Sequence, residues 1–335
     1  MARCPEGGIM QTYRSIHYMR AVAALMVVLF HIHAWALLPQ ISLKPYIWLE
    51  KGVDIFFVIS GFVIVKSTER TEFTGFSFLV RRIQRIAPLY WLLTLFLSMF
   101  ANASWKFIMA SLLFIPMNHP VRNTPETLIA QGYTLNYEMF FYGIFALSFV
   151  FAAKWRFYAV AAVIVGLVRF GPIPSQNTVM SFYSNPMMLE FVAGMAIAKF
   201  SWKLPAVFVP VGILLLAIGD RTGTTHQFVN TGMPAAIVIM GALSLERHLK
   251  PNAAANLLGD SSYALYLVHG ITILTMAPFT DSSRIGYAAS IAIHLLTAVT
   301  TAIVLHLWVE KPIAALFMRW RRTPGHAVTP LPVRR

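Results

Sequence analysis

Apolar runs approaching a bilayer's thickness recur along the chain, separated by short polar breaks. They fall at about 19–38, 52–68, 85–102, 133–152, 156–171, 184–200, 204–219, 229–246, 261–280 and 286–309. A membrane-crossing helix needs about 20 predominantly apolar residues. The pattern therefore predicts an all-α membrane protein of about ten transmembrane helices. The run at 104–116 is also apolar but stops at Pro116, and reads as interfacial or re-entrant.

Composition agrees. The chain is 57% hydrophobic and only 12% charged, with a mean hydropathy of +0.64, whereas a soluble domain carries far more charge. The basic residues give an orientation. With ten spans and a cytoplasmic N-terminus, all 27 of them fall on the cytoplasmic side except Lys44, Lys51, Lys106, Arg122, Arg169, Arg221 and Arg284. That bias is the positive-inside pattern and places both termini in the cytoplasm. Residues 1–11 read as a cytoplasmic N-terminal segment, with Met10 a second candidate start. Residues 12–318 read as one membrane domain, and 319–335 as a basic, disordered cytoplasmic tail. The net charge of +14 is spread over the inner loops, with no aromatic-interleaved basic domain. It points to anionic lipid and not to nucleic acid. A single cysteine, Cys4, excludes a disulfide framework or a cysteine metal cluster, and no His or Cys spacing suggests a metal site.

Against this background the embedded polar residues stand out, because each is costly in lipid and asks for a reason. Arg20 and His31 are separated by ten consecutive apolar residues. Eleven residues make three helical turns, which returns both groups to one face roughly 16 Å apart. His33 lies about 200° round the helix from His31. Asp54, at the start of the second run, lies at a depth near that of His31; it also fits a dipole partner for its own helix. Arg81, Arg82 and Arg85 open the third run at helical spacing, and clustered guanidinium groups suit bidentate contact with phosphates as well as topological anchoring. Glu138 sits one turn inside the fourth run with Tyr142 on the same face, where a carboxylate can orient an imidazole. Glu190 is a further embedded acid. Tyr263, Tyr266 and His269 form a polar stripe whose plain reading is helix–helix adhesion, with Asp260 or Ser261 available as its helix cap. His294 and His306 read as structural.

These residues, in order, resemble the acyltransferase-3 family of integral membrane acyltransferases. The likeness covers about 12–318. It rests on Arg20 and His31, the Gly52 to Phe62 segment, the Arg81 to Trp91 segment, Leu135 with Glu138, Phe141 and Tyr142, Ser262-Tyr263 with Tyr266 and His269, and Glu310-Lys311-Pro312. Tyr133 stands where the family commonly has Trp. Within the family the chain is most similar to acetylases of exopolysaccharide. The resemblance implies a bacterial inner-membrane O-acetyltransferase that uses acetyl-CoA and a glycan or lipid-linked saccharide acceptor, with polysaccharide-assembly proteins as further partners. In that scheme Arg20, Arg81, Arg82 and Arg85 hold the CoA phosphates. His31 serves as general base or transient acetyl acceptor, and Glu138 or Asp54 orients it. Tyr142, Glu190, Tyr263, Tyr266 and His269 complete the polar interior. The competing reading is a transporter or flippase of a lipid-linked saccharide, which embedded acids and histidines also suit; paired broken helices in repeated halves are lacking in the sequence.

Overall fold

The computed structural model describes residues 13–36, 45–69, 73–119, 123–171, 178–219, 227–280 and 285–322. Cys4, Met10 and the tail from Thr323 lie outside them. Each of the ten apolar runs overlies a helix: α1 (Arg14–His31), α2 (Gly52–Thr68), α3 (Gly75–Ser98), α5 (Tyr133–Leu147), α6 (Ala153–Phe170), α8 (Met188–Phe200), α9 (Phe208–Gly219), α10 (Met233–Ser244), α12 (Ser262–Met276) and α13 (Tyr287–Leu305). Short helices α4 (Trp105–Leu112), α7 (Thr178–Tyr183), α11 (Ala253–Asp260) and α14 (Lys311–Arg322) fill the connections, and α14 carries helix four residues past the 318 boundary. Among the described residues four stretches, Arg14–Ala36, Phe228–Arg247, Ser262–Phe279 and Tyr287–Arg319, are long and apolar enough to cross a membrane. The 104–116 run forms α4, and the loop after it pairs Met117–Asn118 antiparallel with Pro125–Glu126.

Three local features place the functional residues. First, α1 stays regular from Arg14 through His31 and only then widens into a π-helical turn, Ile32–Ala36. The regular rise from Arg20 to His31 is thereby kept. Second, α3 begins ten residues before its apolar run, at a capping box in which Thr74 and Ser77 bond each other's backbone N–H. This satisfies two helix-end donors and makes the Arg81–Arg85 cluster mid-helical. Third, Ser261 precedes α12 but does not cap it. Its hydroxyl donates to the Leu257 carbonyl at 2.8 Å, and exposed Asp260 lies 3.5 Å from His17 Nε2.

The most extensive helix pair is α2 against α8. A side chain on Gly61 would run into the Phe191 carbonyl, and one on Gly194 into the Val58 carbonyl. Glycine at both positions lets the backbones touch, the small-residue contact by which helices associate in lipid. Around this seam Phe57, Phe141 and Phe191 stack, with ring centroids 4.6 and 4.4 Å apart. Gly194→Leu is expected to force the seam open at about 1–3 kcal/mol or more. Thermal unfolding of the purified variant in detergent should show a midpoint several degrees lower; an unchanged midpoint would mean that the crossing is not tight.

Candidate active site

Helices α1, α2, α3, α5 and α12 surround an elongated cavity open at its mouth, with about 770 Å³ of free space when the open solvent at the mouth is included. One end is polar and cationic, lined by Arg20, Arg82, Arg85, Tyr142 and Tyr263. The other is lined by Val53, Phe56, Thr134 and Tyr266. Along α2 the lining runs from Val53 to Ile64, about 16 Å at the α-helical rise.

Glu138 is the one carboxylate in the lining, against three guanidinium groups. It accepts hydrogen bonds from Ser60 Oγ (2.9 Å) and from the Tyr142 hydroxyl. Both of these donors are neutral. The cavity keeps an excess of positive charge, which favours an anionic ligand. Arg82 is buried, donates to Ser67 Oγ at 2.9 Å and lies over the Phe78 and Tyr142 rings at 5.3 and 5.7 Å. Arg20 feels the charges of Arg85, Glu310 and Glu138. Arg81 points elsewhere, 4.5 Å over the Phe73 ring, and does not line the cavity.

His31 lies beyond the Tyr266 end. Its Nδ1 is 2.8 Å from the Val27 carbonyl and 3.3 Å from His269 Nε2, and Trp35 packs edge-on at 4.3 Å between ring centroids. Gln131 Nε2 is 3.2 Å from His269 Nε2. The Tyr266 hydroxyl, which lines the cavity, donates to the Gln131 carbonyl at 3.1 Å and sits 2.8 Å from Thr134 Oγ1. Hydrogen bonds thus connect the cavity wall to His31 through Tyr266, Gln131 and His269. His33 faces away, stacked on Tyr46 at 3.9 Å.

Glu138 and Asp54, the carboxylates expected to orient His31, do not contact it: its hydrogen-bonding neighbours among the described residues are Val27 O and His269. Gln131 occupies the level of His269, and Glu138 follows seven residues later, about 10 Å along the helix. Asp54 lies instead against Glu190, both buried in the α2–α8 interface. Six residues separate Asp54 from Ser60, about 240° of helical rotation, so α2 cannot aim both at one site. Tyr263 lines the cavity and also ties α12 to α3, its hydroxyl donating to the Ile86 carbonyl at 2.6 Å. Gln131 and Thr134 were not apparent as site residues, since neither is charged. Glu310 pairs with His306 Nδ1 at 2.9 Å while acting on Arg20. Among the described residues no group of three or more His, Cys, Asp or Glu could hold a metal ion.

A family model described as an acyltransferase domain matches residues 13–309. The chain belongs to the acyltransferase-3 family. This acyltransferase is 32% identical over 294 residues to "Exopolysaccharide production protein ExoZ" of Rhizobium meliloti (strain 1021), covering 82% of its own length and 93% of the relative's. No solved structure matches the acyltransferase. Family membership and apolar helices together make it a membrane acyltransferase.

Proposed function

We propose that this acyltransferase moves an acetyl group from acetyl-CoA to a sugar hydroxyl of a lipid-linked exopolysaccharide precursor. It does so within a ten-helix bundle of the bacterial inner membrane, with both termini cytoplasmic. The observation that carries the reading is one cavity with three guanidinium groups at one end and hydrogen bonds to a histidine pair at the other. The acceptor class is supported by the relative named for exopolysaccharide production, and the orientation by the cytoplasmic bias of lysine and arginine.

Arg20, Arg82 and Arg85 hold the CoA phosphates at the cytoplasmic end, and the pantetheine arm runs along the cavity toward Tyr266. A sugar hydroxyl is far too weak an acid to ionise beforehand, so His31 takes its proton as the oxygen attacks the thioester carbonyl. The new C–O bond forms and the C–S bond breaks. The proton passes to the departing thiolate, leaving an acetyl ester and free CoA. The test is purified protein in liposomes, with acetyl-CoA on one side and a glycan acceptor supplied. Release of CoA together with acetylated glycan is expected. Acceptor crossing the membrane without acetyl product would overturn the reading in favour of a carrier.

Glu138, in this reading, offsets one of the three cationic charges so that CoA can leave after transfer. Glu138→Gln keeps an oxygen for Ser60 and Tyr142 but removes the negative charge. The variant should bind CoA several-fold more tightly at low salt and release it more slowly, as read by calorimetric titration and by stopped-flow displacement. Weaker CoA binding in a folded variant would assign Glu138 to a direct ligand contact instead.

A further inference from the structure

We propose that His269 is a positioning residue that holds His31 in a single tautomer with its Nε2 lone pair available for chemistry, an inference that rests on the role given to His31 above. The assignment follows from which atoms can donate. A carbonyl oxygen only accepts, so the 2.8 Å approach of His31 Nδ1 to Val27 O requires the proton on Nδ1. The same rule applies to His269, whose Nδ1 lies 3.1 Å from the Leu265 carbonyl. Its Nε2 is therefore bare and able to accept. Two groups are directed at that nitrogen: His31 Nδ1 at 3.3 Å and the Gln131 side-chain Nε2 at 3.2 Å. With both rings neutral, a single proton arrangement satisfies all four contacts. Both rings carry hydrogen on Nδ1, and His31 Nε2 is left without one.

The other tautomer of His31 would turn an Nδ1 lone pair toward two acceptors, Val27 O and His269 Nε2, with no hydrogen between them. Burying such a mismatch costs more than losing a bond. His269 is fully buried, so water does not relieve it. The arrangement does for His31 what a carboxylate does for the histidine of a hydrolase triad, fixing the tautomer and ring direction, but with a neutral partner. As His31 becomes imidazolium during attack, its Nδ1–H bonds become charge-assisted and strengthen. Stabilisation is thereby concentrated in the transition state, where it raises kcat. Trp35, edge-on to His31, and Gln131, bonded to the far imidazole, restrict rotation of the two rings.

The experiment uses full-length protein in lipid bilayers, with ¹⁵N-labelled histidine observed by solid-state NMR and the His31 signals identified by their loss in His31→Gln. Wild type should show a protonated Nδ1 and an unprotonated Nε2. His269→Phe should move the His31 Nδ1 resonance and lower kcat by 10- to 100-fold with KM for acetyl-CoA unchanged. His269→Gln returns an acceptor oxygen near the place of Nε2 and should recover most of the turnover. An Nε2-protonated His31 in wild type would overturn the proposal. So would a Phe variant with full kcat, or Phe and Gln variants equally inactive while His31 keeps its wild-type spectrum. Because the NMR signature does not depend on turnover, wild-type protein with the expected tautomer and no acetyl transfer would defeat the functional reading while leaving the pairing intact.

Discussion

His31→Ala is expected to eliminate acetyl transfer while the protein still inserts and accumulates. A positioned general base contributes about 10²–10⁴-fold, and Val53, Phe56, Thr134 and Tyr266, which line that end of the cavity, offer no imidazole or carboxylate in its place; His269 Nε2 already faces the Gln131 amide and His31 itself. The control is His33→Ala, two residues on. His33 stacks on Tyr46, approaches Tyr287 at 5.8 Å and bonds the Leu29 carbonyl at 2.6 Å, all away from His31. Its loss should disturb local packing and leave turnover within a few-fold of wild type. Measured acetylation with His33 essential and His31 dispensable would show that the wrong face of α1 had been assigned to chemistry.

The second large effect belongs to the cationic end. Arg82→Ala and Arg85→Ala should each raise KM for acetyl-CoA by roughly 10- to 150-fold, the equivalent of removing a charge-assisted contact of about 1.5–3 kcal/mol. Lysine should restore only part of this, because an ammonium lacks the planar two-pronged geometry of a guanidinium. Arg81→Ala is the informative comparison. It shares the helical cluster but lies over Phe73 and outside the cavity, so its KM should stay close to wild type. Arg82 is also bonded to Ser67, and the stability of its variant must be measured alongside. Equal donor affinity in all three alanine variants would reduce the cluster to a determinant of topology.

How far these groups were visible in the sequence depended on whether their geometry was local. Arg20 and His31 are on one regular helix, so spacing alone placed them on one face. Residues 52–68 were delimited by their own polar edges and form α2 over the same range. The third run was set at 85–102, but the helix is Gly75–Ser98. Hydropathy falls at Arg81, Arg82 and Arg85, whereas the capping box at Thr74 and Ser77 decides where the helix begins. The partner of His31 was hidden for a different reason. His269 lies 238 residues away, and no periodicity reports which helices become neighbours. Glu138 sits seven residues, about two helical turns, beyond Gln131, whose side chain is the one that reaches His269. Asp54 and Glu190 likewise find each other only once α2 and α8 cross.

That crossing bears on how the enzyme moves. With carbonyls seated against Gly61 and Gly194, α2 and α8 behave as one stiff spar, unable to slide or rotate past each other without collision. Ser60, Phe56 and Val53 ride on this spar and line the cavity from one side. The opposite wall is more compliant: α3 and α12 pack far less extensively and are bridged by the Tyr263–Ile86 hydrogen bond. Entry of a bulky nucleotide-bearing donor would then swing α3, with Arg82 and Arg85, against a stationary reference. Arg82 and Arg85 would travel with α3, while Arg20 on α1 and the His31–His269 contact would stay with α1 and α12, which pack more closely on each other than α12 does on α3.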